Sequence, residues 1–455
     1  MQCHNFNKDW TFEKADQADR LKAFYGNSNA VAVTLPHDAM IREKRDKDCP
    51  SGAQSGFYSG GVYTYEKKFM AQYEWKKQDV FLEFEGIYGI ARVWINGSLA
   101  AVNRNGYMGF SVDLKPWISY EHENIIRIDV DNSKQPNSRW YSGSGIYRDV
   151  NLWTGKDVYI SHDKLRITTL SVNDDMAVIE VCAQLKNIIG HGLEAECLIE
   201  IKKDGQKTAS DTQRVVFRSE QMQTVRVQIP IEHPKKWSPK QPALYECHIT
   251  TKFDDKICDE AVSNFGIRVL ALDPVHGLQI NGETVKLRGT CIHHDNGVIG
   301  AETFKEAEWY RCKRLKEAGF NAIRSAHHPM SRAMLDACDH IGILVMDELT
   351  DMWDKEKNTY DFSDIFEDEY NQWINHMVEK DYNHPSVIIY SVGNEIQEAG
   401  TKQGAWINRM LCNKFHELDN TRYTTNALNG LNCAGRRLGF IMRDVACLLY
   451  TSPSP

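Results

Sequence analysis

The chain has 455 residues, too many for one ordinary domain, so two to four domains are expected. Hydrophobic residues make up 42% and charged residues 25%, as in a soluble globular protein. The net charge of -8, with no basic stripe to offset it, argues against a nucleic-acid partner. The twelve cysteines form no CxxC pair, which favours buried free thiols over a disulfide framework or a zinc site.

The sequence has no pattern typical of a signal peptide or a membrane span. The segment from Met1 to Trp10 lacks the charged-then-apolar pattern of a signal peptide. No apolar run reaches the roughly 18 residues that suggest a membrane span. We therefore expect a cytoplasmic protein without a membrane partner, and the sequence leaves a homo-oligomer open.

Short strands separated by turn residues run from residue 1 to about 156. Val62–Phe69 and Asn124–Val130 alternate apolar with polar residues, the period of a half-buried strand. Ala91–Ile95 runs into the pair Asn96–Gly97, a dipeptide typical of hairpin turns. The pattern predicts a β-sandwich over residues 1–156.

A second block of strands covers residues 157–270. It contains the alternating or apolar runs Ala177–Ala183, Thr224–Ile229 and Tyr245–Thr250. All-β patterning over roughly a hundred residues is typical of an immunoglobulin-like β-sandwich, and we predict one here.

After Pro274 strands alternate with helices. The predicted strands are Val285–Ile292, Asn321–Ser325, Ile343–Glu348, Val387–Val392 and Thr424–Leu428, and the predicted helices cover about 303–318 (ending at Gly319), 331–340, 366–381 and 403–418. This alternation predicts a parallel sheet of the (β/α)8 TIM-barrel kind over residues 271–446. Eight units need about 250 residues, so we expect an incomplete barrel.

The last nine residues, 447–455, match neither a strand nor the preceding helix pattern. We interpret them as a non-native tail and exclude them from the fold prediction.

Polar residues cluster where the predicted barrel strands end, the position of active sites in this fold. They are His293, His294, Asp295, Arg324, His327, His328, Asp347, Glu348, Asn394, Glu395 and Asn426. Neighbouring residues on a strand point to opposite faces, so neither histidine pair forms a chelate. The alternative interpretation for both pairs is a structural role as hydrogen-bonding residues. Asp347 and Glu348 are typical of carboxylates that hold arginines, and Arg324 either bridges to one or touches substrate.

An ordered set of motifs makes the chain resemble glycoside hydrolase family 2, which contains β-galactosidases, β-glucuronidases and β-mannosidases. The motifs are Leu35–Asp38 (LPHD), Gly60–Tyr63 (GGVY), Gly143–Val150 (GSGIYRDV), Arg324–Pro329 (RSAHHP), Val345–Glu348 (VMDE), Asn383–Val387 (NHPSV) and Ser391–Glu395 (SVGNE). The resemblance implies a β jelly-roll sandwich, an immunoglobulin-like sandwich and a TIM barrel. It also implies a retaining exo-β-glycosidase acting on an oligosaccharide or another β-glycoside.

The resemblance assigns roles residue by residue. Glu395 matches the general acid/base, and Asn394 matches the amide that contacts the sugar 2-hydroxyl. His293 and His327 match sugar-contacting histidines, with Arg324 as a supporting arginine. Trp353 is either a stacking platform at the mouth or a core tryptophan. The family's nucleophile lies on the seventh strand, so the sequence as given is expected to lack it and to be inactive.

Two departures from the family pattern bear on substrate and cofactor. Magnesium-dependent galactosidases have a metal-binding Glu and His after the Asp–Glu strand, whereas this chain has Leu349–Trp353 (LTDMW). The same subgroup has an Asp where this chain has Ser138–Trp140 (SRW). We therefore expect no metal and no cofactor. A β-galactosidase-like activity is the first hypothesis, with β-glucuronidase, β-mannosidase or a non-catalytic carbohydrate-binding protein as alternatives.

Overall fold

The structure is a computed structural model, and it describes residues 1–15, 30–218, 220–428 and the course of strand 445–448. Along the chain it shows two β-rich parts followed by an alternating β/α part, in the predicted order.

The N-terminal part is a sandwich of a four-stranded and a six-stranded antiparallel sheet. Buried side chains of both sheets meet in one core, among them Leu82 and Phe84 from one sheet and Val93 and Ile128 from the other. The first sheet has the order β1-β10-β5-β8 and the second the order β3-β2-β4-β9-β6-β7, with β1 Gln2–Asn5, β2 Trp10–Lys14, β3 Val31–Val33, β4 Val62–Met70, β5 Asp79–Phe84, β6 Ile90–Ile95, β7 Ser98–Asn103, β8 Phe110–Asp113, β9 Glu123–Asp131 and β10 Val150–Gly155. The predicted β-sandwich is confirmed.

The second part is also a two-sheet sandwich, with orders β11-β12-β15 and β14-β13-β16-β17. Alternate residues of the long strands are buried, so that Ile179 and Val181 face Ile199 and Ile201 in one core. The strands are β11 Val158–Val172, β12 Met176–Asn187, β13 Leu193–Lys203, β14 Gln206–Phe217, β15 Met222–Glu232, β16 Tyr245–Phe253 and β17 Lys256–Phe265. Three short strands, β18 Leu270–Asp273, β19 Gly277–Ile280 and β20 Glu283–Thr284, lead into the third part.

The third part is built on a parallel sheet of six strands in chain order, β21 to β26. The strands are β21 Gly289–Ile292, β22 Ala322–Ser325, β23 Leu344–Glu348, β24 Val387–Asn394, β25 Tyr423–Leu428 and β26 Val445–Leu448, and the helices are α1 Lys305–Glu317, α2 Arg332–Ile341, α3 Ser363–Asp381 and α4 Lys402–Leu418. Every residue of β24 is buried, as in a strand covered on both faces.

The four predicted helices are present, and their ends lie within three residues of the predicted ones. Ser331 accepts a hydrogen bond from the Met334 amide over 3.2 Å at the start of α2, and Gly342 follows its end at φ 80°. α1 ends just before Gly319, as predicted, with the glycine at φ 90°. None of the helices described in residues 1–15, 30–218 and 220–428 is long and apolar enough to cross a membrane.

The predicted boundaries differ most from the structure at the first and last of the described barrel strands. The first barrel strand begins at Gly289 rather than Val285, because Val285 is bonded through its amide to Leu278 of β19 instead. β26 includes Cys447 and Leu448, which had been placed in the tail, and pairs them with Ala427 and Leu428. Residues 449–455 lie outside the described residues.

The segment between β9 and β10 joins the N-terminal sandwich to the barrel mouth. The Ser142 carbonyl accepts a hydrogen bond from His294 over 2.8 Å, and Arg148 donates to the Pro329 carbonyl over 3.2 Å. Asp38 accepts a hydrogen bond from the Ser144 amide of the N-terminal sandwich over 3.0 Å. It accepts another from the Ala301 amide of the barrel part over 2.8 Å. These buried bonds hold the segment against the ends of the barrel strands.

Candidate active site

Glu395 directly follows β24 at the mouth of the parallel sheet. Its amide donates to the Ala427 carbonyl over 2.7 Å, and its φ of 43° ends the extended path of the strand. A non-glycine residue in this region is strained, and such strain is commonest at functional sites. The Glu395 side chain is 35% exposed, so its carboxyl is open to a ligand.

Arg324 and Glu348 form a buried pair beneath the mouth. Arg324 donates to both carboxylate oxygens of Glu348, from Nε over 3.0 Å and from Nη2 over 2.8 and 2.7 Å. Glu348 also lies 2.6 Å from Nδ1 of His327 and accepts from the Ser391 hydroxyl. Of the two roles considered for Arg324, the structure shows the bridge to a carboxylate.

Asn394 lies between this pair and a second carboxylate. Its Oδ1 accepts from Arg324 over 2.7 Å, and its Nδ2 donates to Oδ1 of Asp351 over 2.7 Å. The side chain is fully buried, so Asn394 is fixed in place beside the exposed Glu395.

Asp351 accepts hydrogen bonds from four donors. They are Nε and Nη2 of Arg139, Nζ of Lys357 and Nδ2 of Asn394, at 2.6 to 2.8 Å. Burial would raise the pKa of Asp351, but the Arg139 hydrogen bond and the Lys357 charge outweigh it and hold this pKa well below its ordinary value. Asp351 is therefore a carboxylate between two fixed cations.

The histidine pairs divide between two faces, as strand alternation requires. His293 and His327 face the mouth; His293 bonds to the Ala326 carbonyl and its ring is stacked on Trp140 at 5.0 Å. His294 and His328 are buried and lie 3.2 Å apart, Nδ1 to Nε2. Burial lowers the pKa of His294 to about 3, so this inner pair is neutral and structural.

Trp353 is a core residue, and the stacking-platform alternative was wrong. Its side chain is 0% exposed, and its Nε1–H donates to the Val392 carbonyl over 3.0 Å. The ring packs among the apolar residues under the sheet because the segment after β23 turns inward there. Trp140, from the N-terminal sandwich, is instead the partly exposed indole at the mouth.

Asp347 does not reach the mouth. It accepts from the Ser325 hydroxyl over 2.6 Å and from the Met330 amide over 2.9 Å, and it lies 3.2 Å from Nζ of the buried Lys380. Ser325 in turn accepts from the Glu348 amide over 2.8 Å. Asp347 thus supports the ends of β22 and β23 from the helix side.

The sequence prediction missed Arg139, Trp140, Asp351 and Lys357. The first two belong to another domain, and the others lie in an irregular segment whose course the strand pattern does not specify. The motif Ser138–Trp140 was the available signal, since the sequence analysis had already singled it out as a departure from the family pattern.

Within the described residues, two groups of side chains could hold a metal ion, namely Glu83, His162 and Asp163, and Asp336, Asp339 and His384. Neither includes a residue of the mouth. Arg332 is already paired with Asp163 in the first group, and Asp339 of the second bonds to His384 over 2.6 Å and to the Ser386 amide over 2.9 Å.

An exposed carboxyl, a fixed amide, two histidines and an indole at the end of parallel strands are typical of a sugar-processing site on a TIM barrel. The comparisons with known proteins agree. Residues 10–155 match the glycosyl hydrolase 2 galactose-binding domain-like family model, residues 158–268 that of glycosyl hydrolases family 2, and residues 275–452 the family 2 TIM barrel domain. The chain belongs to glycosyl hydrolases family 2.

The names of individual relatives give two different activities. The chain is 33% identical to the β-galactosidase BoGH2A of Bacteroides ovatus over 87% of this chain and 46% of that protein. It is 28% identical to a β-glucuronidase of Bacteroides fragilis, over 98% of this chain and 63% of that protein. A crystal structure of a family 2 member from Bacteroides cellulosilyticus superposes with a TM-score of 0.94 at 32% identity, over 99% of this chain and 59% of that one. The chain spans about half the length of these curated relatives.

Proposed function

We propose that the full-length protein is a retaining exo-β-glycosidase of β-galactosidase-like specificity, with Glu395 as its general acid/base. The observation that carries this proposal is the pairing of Glu395, exposed at the end of β24, with the buried and doubly anchored Asn394. An acid beside a fixed amide suits protonation of a glycosidic oxygen while a neighbouring sugar hydroxyl is held.

The mechanism proceeds in two steps. In the first, Glu395 gives its proton to the leaving oxygen as the glycosidic bond breaks and a second carboxylate bonds to the anomeric carbon. In the second, Glu395 takes a proton from water, whose oxygen displaces that carboxylate and restores both groups.

The second carboxylate does not correspond to the described acids at the mouth. Glu348 is committed to Arg324 and His327, and Asp351 to Arg139 and Lys357. We infer that the nucleophile comes from residues outside those described, on a later strand of the barrel. We also propose that the described β/α units are part of an incomplete TIM barrel and that the N-terminal sandwich is a jelly roll.

The sugar contacts follow from which mouth residues remain open. His293, His327 and Trp140 are partly exposed and face the site, so we assign them to the sugar. Asn394 is fully buried, so its assignment to the sugar 2-hydroxyl rests on the resemblance of Ser391–Glu395 to the family motif and not on exposure. Arg324 supports Asn394 and does not itself contact the sugar.

The β-galactosidase assignment rests on the 33% identity to a protein of that name, and β-glucuronidases among the relatives make glucuronides the second candidate.

The test of the acid/base role uses the full-length protein with Glu395→Gln. Hydrolysis of alkyl or sugar galactosides, which need a proton on the leaving group, should fall about 100-fold or more, and hydrolysis of dinitrophenyl galactoside far less. Equal losses on both would refute the acid/base role, and sugar binding without any hydrolysis by the unsubstituted protein would support a carbohydrate-binding protein.

A further inference from the structure

Arg139 belongs to the N-terminal sandwich, yet its guanidinium lies at the barrel mouth beside Glu395. Nε and Nη2 donate to the two oxygens of Asp351 over 2.8 and 2.6 Å. Nη1 lies 3.5 Å from Oε2 of Glu395. Because the fork of nitrogens is planar, the two bonds to Asp351 determine where Nη1 points.

Asp351 is a firm anchor for that fork. The carboxylate is buried, and its pKa lies well below the ordinary value for the reasons given above, so it stays ionised over the working range of an enzyme. A bidentate pair with an ionised and buried carboxylate fixes an arginine far better than an exposed ion pair does.

Lys357 also bonds to Asp351 and to the backbone before Glu395. Its Nζ donates to Oδ1 of Asp351 over 2.8 Å and to the backbone carbonyl of Asn394 over 2.7 Å. That carbonyl belongs to the peptide group that leads into Glu395. The backbone before Glu395 and the cation beside its carboxyl are therefore both tied to Asp351.

We propose that Arg139 is a positioning residue for Glu395, supplied to the barrel by the N-terminal sandwich. This inference rests on the proposed function and adds a second domain to the machinery of the same site. The 3.5 Å separation is too long for a strong hydrogen bond, so Arg139 guides the carboxyl electrostatically and leaves it able to turn between leaving group and water.

Within the described residues, two cations interact with the Glu395 carboxyl. Arg139 reaches it from the N-terminal sandwich, and Lys357 interacts with it from the segment after β23. Asp351 and Glu348 each have cationic partners within the network, which leaves Arg139 as the nearest charge to Oε2. Removing this cation takes away the charged group nearest to the Glu395 carboxyl and, with it, the contact that guides its position.

The experiment uses the full-length protein and compares Arg139→Gln with Arg104→Gln. Arg104 is a matched control, since it is also in the N-terminal sandwich and pairs with the barrel at Glu369 over 2.7 Å, away from the mouth. We expect Arg139→Gln to lower kcat/KM about tenfold on alkyl galactosides, which need the proton from Glu395, and to leave kcat/KM on dinitrophenyl galactoside nearly unchanged. Arg139→Lys should show a similar loss, because a single ammonium cannot bond to both Asp351 oxygens and also reach Glu395, and Arg104→Gln should match the unsubstituted protein.

The possible results test the role of Arg139 separately from the proposed glycosidase activity. Equal kcat/KM values for Arg139→Gln and Arg104→Gln on alkyl galactosides overturn the positioning role while leaving the glycosidase intact. If Arg139→Gln melts at a lower temperature than Arg104→Gln, comparison of its two substrates decides the question, because a loss of folded protein lowers hydrolysis of both substrates equally. An unsubstituted protein without hydrolysis overturns the proposed function, and this inference with it.

Discussion

Arg324 donates from Nη2 to Oδ1 of Asn394 over 2.7 Å, and this contact determines which way the amide points. A guanidinium offers no acceptor, so Oδ1 must face it, and Nδ2 is then directed at the carboxylate of Asp351. The amide thus accepts from Arg324 and donates to Asp351. An aspartate of the same shape has no donor for Asp351 when it is ionised.

The first prediction replaces that amide by an acid. Asn394→Asp places a buried carboxylate 2.7 Å from the Asp351 oxygen, and we expect the free energy of unfolding at neutral pH to fall by about 3 kcal/mol. Chemical denaturation followed by tryptophan fluorescence measures this change. Asn371→Asp, at an exposed position of α3, is the control and should stay within about 0.5 kcal/mol. Similar values for the two variants would contradict the buried network.

The second prediction separates two tryptophans. Trp353→Phe should lower the free energy of unfolding by about 2 kcal/mol, because a buried carbonyl loses its donor and the core loses volume, and KM should not change. Trp140→Ala should raise KM about fivefold, since its partly exposed ring is the one available to a sugar face. Denaturation curves and steady-state kinetics on both variants give the answer, and a KM effect at Trp353 would restore the stacking-platform hypothesis.

The third prediction concerns acid pH. The buried His294 has a pKa of about 3, below the ordinary 6.5, so on acidification the unfolded chain takes up a proton that the folded protein does not. Its contribution to stability is therefore complete above about pH 6.5 and is lost as pH falls towards 3, by about 1.4 kcal/mol per pH unit. Urea denaturation between pH 7.5 and 5 should show this decline, and His294→Asn should make it shallower. An unchanged slope in the variant would show that His294 does not cause it.

The fourth prediction concerns metal ions. Asp351 lies in the segment after β23, and its oxygens already accept from Arg139, Lys357 and Asn394. We expect glycosidase activity to be unchanged after dialysis against EDTA, measured on the full-length protein with and without added magnesium. Activity lost on chelation and recovered with magnesium would mean that a cation displaces these partners.

Much of the fold was predictable because the patterns are local. The alternation of apolar and polar residues predicted the two sandwiches. The alternation of strands and helices predicted the parallel sheet and the position of Glu395 at the end of β24. The same alternation separated His293 from His294 in advance. What could not be predicted depends on contacts between distant segments, such as Arg139 with Asp351, or on an irregular path, such as the inward turn at Trp353. Neither leaves a periodic trace in the sequence.

The most direct test of Glu395 as the acid/base is chemical rescue in the full-length protein. Glu395→Ala with dinitrophenyl galactoside should form the glycosyl-enzyme but hydrolyse it slowly, because no base activates water. Azide needs no base, so we predict that it accelerates turnover and yields β-galactosyl azide with retained configuration. Absence of rescue, or an azide product of inverted configuration, would contradict the assignment of Glu395.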